Sequence, residues 1–166
     1  EKQPAGDLNY ILQKFMETDY ADIAYKAGKE LLRRTEDDSH PDYDSLSAHR
    51  ERILFRTGSA ALQVDMYKAA EEALTTLIDE NERSAYLWEA KLKLADAYRR
   101  QDPPKYEVAA AALGDVSRNA QSTLLKNQAF LETGIMQLRR EGADQVKKAL
   151  SSFNQLAFPS DGEVVY

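Results

Sequence analysis

Cysteine is absent from this chain of 166 residues, and glycine (7) and proline (5) are scarce. Without cysteine the chain can form neither disulfides nor thiolate zinc sites. The compartment stays open, because cytosolic and periplasmic proteins can both lack cysteine. Few glycines and prolines leave long stretches of good helix formers, so the composition predicts an all-α protein.

The sequence also lacks an excess of positive charge, and it lacks long apolar runs. The chain has 22 basic and 28 acidic residues, a net charge of −6, with both signs interleaved, so we expect no nucleic-acid partner. No apolar run approaches the roughly 18 to 20 residues of a membrane span, which predicts no direct insertion into a membrane. The first residue is Glu1 instead of methionine. We therefore expect either a removed signal or a piece of a longer protein.

Apolar residues do recur at helical spacing, in stretches separated by short turns. They predict a helical repeat domain over 7–158, built from hairpins at about 7–34, 45–79, 84–117 and 123–157. Residues 1–6 are predicted to be a flexible N-terminus and 159–166 a C-terminal tail, while 35–44 reads as a loop rich in Asp, Ser and Pro.

Small residues recur at matching places in the last three hairpins. Gly58, Ala95 and Gly134 occupy one column at spacings of 37 and 39 residues. A second column, in the second helix of each hairpin, contains Ala70, Ala109 and Ala149 at spacings of 39 and 40. Small residues let two helices approach closely, and hairpin repeats of about this length stack into solenoids.

The columns resemble the tetratricopeptide repeat. The third hairpin fits best, and its matching residues are Leu94, Ala95, Tyr98, Tyr106 and Ala109. The resemblance covers about 45–159 and implies a right-handed α-solenoid of about four hairpins. The period exceeds the usual ~34 residues, and the proline that closes such a repeat occurs only at Pro159. Long repeats of this kind are similar to those of bacterial envelope proteins, which favours a periplasmic or envelope location over the cytoplasm.

Motifs for catalysis or for a cofactor are missing. There is no Gly-x-Ser-x-Gly elbow and no glycine-rich phosphate loop, so we predict a protein that is not an enzyme and carries no cofactor. His40 and His49, with the aspartates near His40, lack the ligand spacing of a known metal site, and we predict none. Trp88 is expected in the core between repeats.

The family resemblance implies a concave groove lined by the first helix of each hairpin, and the groove would bind a peptide or protein segment. An alternative is a structural or oligomerisation module of a larger assembly, such as one in a bacterial envelope, including association of the chain with itself. The groove positions in the second, third and fourth hairpins are Arg52, Phe55 and Leu62; Glu89, Leu92, Asp96 and Arg99; and Leu131, Ile135 and Arg139.

Overall fold

The computed structural model describes residues 4–16, 18–140 and 142–156. Within these ranges the chain forms nine α-helices and no strand, which confirms the predicted all-α class. Pro159 and the predicted tail 159–166 lie outside the described residues. The helices are α1 (Ala5–Phe15), α2 (Ala21–Arg34), α3 (Tyr43–Ser47), α4 (Arg50–Gln63), α5 (Tyr67–Glu80), α6 (Leu87–Arg100), α7 (Tyr106–Asn119), α8 (Thr123–Leu138) and α9 (Ala143–Phe153).

The helices belong to two compact units, one over Glu1–Lys105 and the other over Tyr106–Tyr166. Unit 1 contains α1 to α6, and unit 2 contains α7 to α9. The boundary falls inside the predicted hairpin 84–117, whose first helix is α6 and whose second helix is α7. One repeat domain over 7–158 stays a prediction.

In unit 1 each long helix packs against the next long helix in the chain, from α1 to α6. In addition, α1 contacts α4, and α4 contacts α6. Helix α4 is central because its neighbouring residues Ile53 and Leu54 enter different clusters. Ile53 packs with Leu12 and Leu31 of α1 and α2, whereas Leu54 packs with residues of α5 and α6.

The predicted columns of small residues are buried. All six residues, Gly58, Ala95 and Gly134 with Ala70, Ala109 and Ala149, are inaccessible or nearly so. At Gly58 a β-carbon would lie 2.7 Å from Cγ of Leu74 on α5, too close for any real side chain. The expectation that a small residue lets the two helices of a hairpin approach is therefore confirmed for α4 and α5.

The predicted first helix of the second hairpin is wrong at its start. A hairpin over 45–79 predicts one continuous first helix from about residue 45, but the structure has the short helix α3 and then α4, which begins at Arg50. Between them, the backbone N–H of His49 donates to the carbonyl oxygen of Leu46 at 2.9 Å. This i to i+3 bond tightens the chain into a turn that ends α3.

The N-terminal boundary also differs from the prediction. The sequence predicts a flexible stretch over residues 1–6, yet α1 already begins at Ala5 after Pro4. Proline fits at the start of a helix, because backbone N–H groups there form no intrahelical hydrogen bond and proline has no N–H. Residues 1–3 lie outside the described part of the chain.

Candidate functional site

Three of the predicted groove residues in unit 1 are buried. Phe55, Leu62 and Leu92 each expose less than a tenth of their surface. The Phe55 ring stacks on Tyr86, with ring centroids 4.7 Å apart and an interplanar angle of 21°. These side chains contribute to the core of unit 1, and their contact with a partner stays a prediction.

Arg52, the third predicted groove residue of α4, lies one helical turn before Arg56. Both arginines are half-buried. Nε of Arg52 and Nη1 of Arg56 are buried, and neither atom has a hydrogen-bond partner among the described residues. Neither arginine forms an ion pair within those residues. A buried, unsatisfied N–H group is costly, and more so on a charged side chain.

The electrostatics of this pair are unfavourable in the isolated chain. Burial lowers the pKa of the Arg56 guanidinium from its usual value, and the positive charge of Arg52 lowers it further. Tyr86 acts in the opposite direction. Arginine nevertheless stays protonated at neutral pH, so α4 carries two neighbouring positive charges that pair with no acidic residue of the described ranges.

A third cation lies beside the aromatic pair. Nζ of Lys93 on α6 is 5.8 Å from the centroid of the Phe55 ring. We call Arg52, Arg56 and Lys93 the cationic cluster. Arg52 and Tyr86 both act electrostatically on Arg56, and Tyr86 stacks on the Phe55 ring beside which Lys93 lies. Neither Arg56 nor Lys93 is among the predicted groove residues. A signal for Arg56 was present, since neither it nor Arg52 has an acidic residue three or four positions away on α4.

The predicted polar groove residues of α6 differ in their pairing. Asp96 accepts a hydrogen bond from Arg99, and its other oxygen lies 3.5 Å from Nη1 of Arg100. Arg100 also reaches Asp65 at 2.7 Å. Glu89 is exposed and forms no ion pair in the described part of the chain. The charges at the end of α6 are thus largely neutralised within unit 1.

In unit 2 the predicted groove residues lie on α8 or directly after it and are more accessible. Ile135 is half-buried and Arg139 is exposed. Leu131 is 43% exposed, and the leucines seven residues before and after it, Leu124 and Leu138, are 70% and 52% exposed. A spacing of seven residues brings side chains to the same face of a helix. We call these three residues the leucine row.

A groove of about 570 Å³ lies on another side of unit 1, against α2, α4 and α5. Its floor is apolar and includes Leu54 and Ala73. The charges at its rim are mostly paired: Arg33 with Glu30 at 2.9 Å and Arg50 with Glu80 at 2.9 Å. Most of its residues come from three different helices. The spacing of residues within one helix therefore does not predict this groove.

His40 and Trp88, which the sequence analysis singles out, make ordinary local contacts. Nδ1 of His40 accepts a hydrogen bond from the backbone N–H of Asp42 at 3.1 Å. Among the described residues no group of three or more His, Asp or Glu side chains could hold a metal ion. Trp88 is half-buried, not fully in a core, and Nζ of Lys91 lies 5.0 Å from its ring centroid.

None of the helices within the described ranges has the length and apolar character needed to cross a membrane. When the chain is compared with protein-family models, with curated proteins and with solved structures, nothing matches it significantly. The tetratricopeptide resemblance therefore depends on the columns of small and aromatic residues alone.

Proposed function

We propose that this protein is a scaffold that binds a segment of another protein on the exposed faces of the first helices of its hairpins. The observation that carries the proposal is the leucine row of α8, in which Leu124, Leu131 and Leu138 are 70%, 43% and 52% exposed. Single exposed apolar residues are common, but apolar residues aligned on one helix face favour a binding surface.

The leucine row also suggests the form of the bound segment. Leucines repeated every seven residues match the apolar stripe of an amphipathic helix, which binds by packing its own stripe against them. Fully burying one leucine contributes about 1.5–3 kcal/mol. The row could therefore supply much of the free energy of a moderately tight complex, even after the entropic cost of association.

Repeat architecture supports a scaffold, and we propose a right-handed α-solenoid of tetratricopeptide type. In such a stack the first helix of one hairpin contacts the first helix of the next. The contacts of α1 with α4 and of α4 with α6 follow this order within unit 1. The buried columns of small residues support the same arrangement. Solenoids of this kind provide extended surfaces for protein partners.

A second candidate function is a structural module that associates with another copy of the chain. On α9 the apolar residues Val146 and Leu150 are 48% and 56% exposed and lie one turn apart. A terminal repeat without a polar outer face tends to stack on further repeats. This surface would then be covered by a second molecule.

The test compares Leu131→Asp with Ser151→Asp, which adds the same charge at an exposed position of α9. Proteins retained by the immobilised wild-type chain from an extract of its source cells are identified by mass spectrometry, and the candidate partner is then purified. We expect Leu131→Asp to weaken its binding by about tenfold or more, while Ser151→Asp leaves binding unchanged. Equal affinities for all three proteins would refute the proposal.

Light scattering over a range of concentrations tests the alternative. If the wild-type chain forms dimers that Val146→Asp dissociates and Leu131→Asp does not, the protein is a self-associating module. A monomer at all concentrations, combined with a partner lost through Leu131→Asp, favours the scaffold. Circular dichroism of each variant checks that the helices remain folded.

A further inference from the structure

Arg52 and Arg56 of the cationic cluster have no acidic partner in the part of the chain that the structure describes. An arginine that is half-buried in a folded chain normally donates to a carboxylate or a carbonyl oxygen. Here a buried nitrogen of each guanidinium lacks any acceptor within the described residues. Elsewhere in unit 1, Arg34 and Arg50 both have acidic partners, which are Glu30 and Asp42 for Arg34 and Glu80 for Arg50.

The two acidic residues of α6 do not pair with these arginines. Lys93 adds a third cation beside the Phe55 ring, and Asp96 is already bonded to Arg99. Glu89 occupies in α6 the place that Arg52 occupies in α4, six residues before the small residue of its helix. It remains exposed without forming an ion pair with Arg52 or Arg56. Among the described residues, the cationic cluster therefore lacks an anionic partner.

We propose that the cationic cluster binds the side-chain carboxylates of an acidic segment of the partner protein. The planar guanidinium offers parallel N–H donors that match the two oxygens of a carboxylate. A bound carboxylate would accept hydrogen bonds from Nε of Arg52 and Nη1 of Arg56, the atoms that lack acceptors. It would also neutralise two like charges that lie one turn apart.

Two further observations favour an acidic peptide over other anions. The stacked rings of Phe55 and Tyr86 lie next to the cations, so an apolar side chain beside the acidic residue would contact aromatic carbon as well. The chain has a net charge of −6, which repels long polyanions such as nucleic acids but only weakly opposes one or two carboxylates. This inference rests on the proposed function, because it takes the partner to be a protein.

Fluorescence anisotropy with a defined probe tests the inference. The probe is a labelled, unstructured peptide in which pairs of glutamate alternate with leucine and phenylalanine, and its control has glutamine in place of every glutamate. We expect the wild-type chain to bind the glutamate peptide about tenfold more tightly or better. Arg52→Gln and Arg56→Gln should each remove most of that difference.

Arg83→Gln is the matched control, because Arg83 is exposed and lies outside the cationic cluster. It removes the same charge and should leave the affinity unchanged. Equal weakening by Arg83→Gln and Arg56→Gln would mean general charge attraction and overturn the inference, as would equal affinity for the glutamate and glutamine peptides. Thermal melts establish that the variants fold.

Inorganic phosphate distinguishes the class of anion. If phosphate binds the wild-type chain more tightly than the glutamate peptide and Arg56→Gln abolishes that binding, the ligand is a phosphate group and the carboxylate assignment is wrong. The inference and the proposed function can also fail separately. If Leu131→Asp abolishes binding of the partner but the wild-type chain does not prefer the glutamate peptide, only the inference is refuted. If the glutamate peptide binds through Arg52 and Arg56 but Leu131→Asp leaves partner binding unchanged, only the proposed function is refuted.

Discussion

The ring of Phe153 on α9 covers Gly134 on α8. A β-carbon at Gly134 would lie within 2.8 Å of Cδ1 of that ring and closer still to Cε1 and Cζ. Glycine is therefore required here for close approach and not for an unusual backbone angle. The contact fixes how α8 and α9 pack and helps to hold the helix that carries the leucine row.

We expect Gly134→Ala to destabilise the protein by about 1–3 kcal/mol, since the ring or the helix must move to admit the methyl group. Urea unfolding followed by circular dichroism measures the loss. Gly6→Ala is the control, because a β-carbon at Gly6 meets nothing within 4 Å and alanine is the better helix former. That variant should be as stable as the wild type or slightly more stable.

A double-mutant cycle with Phe153→Leu isolates the contact. The smaller, flexible leucine should accept the alanine, so the double variant should lose less free energy than the sum of the two single losses. Additive losses would show that Gly134 and Phe153 are not coupled and that α8 and α9 pack in another register.

Two arginines of unit 1 should respond in opposite ways to the same change. Arg56→Met removes a buried N–H group that lacks an acceptor and keeps much of the apolar stem, so we expect a gain of about 1 kcal/mol in the free energy of unfolding. Arg34 is 3% exposed and donates to Glu30 at 2.9 Å and to Asp42 at 3.1 Å. Arg34→Met should therefore cost about 1–3 kcal/mol.

The comparison is made by chemical denaturation of both variants in the same buffer. A loss of stability in Arg56→Met comparable to that in Arg34→Met would indicate that Arg56 has a stabilising partner in the folded chain. That result would remove the physical basis for the cationic cluster as a binding site. The gain predicted for Arg56→Met is of the kind found where a binding site carries a local cost in stability.

Acid should weaken the protein partly through Glu30. Hydrogen bonds from Arg33 and then Arg34 lower the pKa of this carboxyl from the usual 4.5 to about 2. Because the folded pKa is the lower one, the stabilisation is complete above 4.5 and is lost as the pH falls toward 2. Solvent reduces the effect at this partly exposed site to about 1 kcal/mol.

Glu30→Gln should lower the free energy of unfolding by that amount at neutral pH. When the free energy of unfolding is plotted against pH, the curves of the variant and the wild type should merge as the pH approaches 2. Unfolding by urea at several pH values measures both curves. For comparison, Glu89→Gln alters an exposed residue without an ion pair and should change stability by less than about 0.5 kcal/mol at pH 7. If the free energies of unfolding of Glu30→Gln and the wild type differed by the same amount at every pH, the lowered pKa of Glu30 would be contradicted.

Helix positions and close packing could be predicted from the sequence because they depend on local spacing. The columns of Gly58 and Ala70 follow from size and period alone, and both residues are buried as expected. The face of α4 was harder to assign. Each residue turns the helix by about 100°, so a step of three from Arg52 to Phe55 leads toward the core. A step of four residues leads to Arg56, which lies nearer the side of the helix that carries Arg52.

Ion pairs between distant helices could not be predicted, since they depend on tertiary packing. Lys105, which follows the predicted turn of the third hairpin, reaches Glu71 on α5 at 2.9 Å. Gln101 reaches the same carboxylate at 2.6 Å. Nothing in the spacing of these residues distinguishes them from solvated surface charges, and only the packing of α5 against α6 brings them together.

The leucine row can be tested without knowledge of the partner. A dye such as anilinonaphthalene sulfonate fluoresces when it binds exposed apolar surface, so the wild-type chain should enhance its fluorescence. Replacing Leu124, Leu131 and Leu138 together with glutamine should remove most of this signal. Stability should fall by no more than about 1 kcal/mol in total, because exposed side chains contribute little packing. The same triple change would unfold unit 2 if these leucines were core residues, and dye binding would then rise.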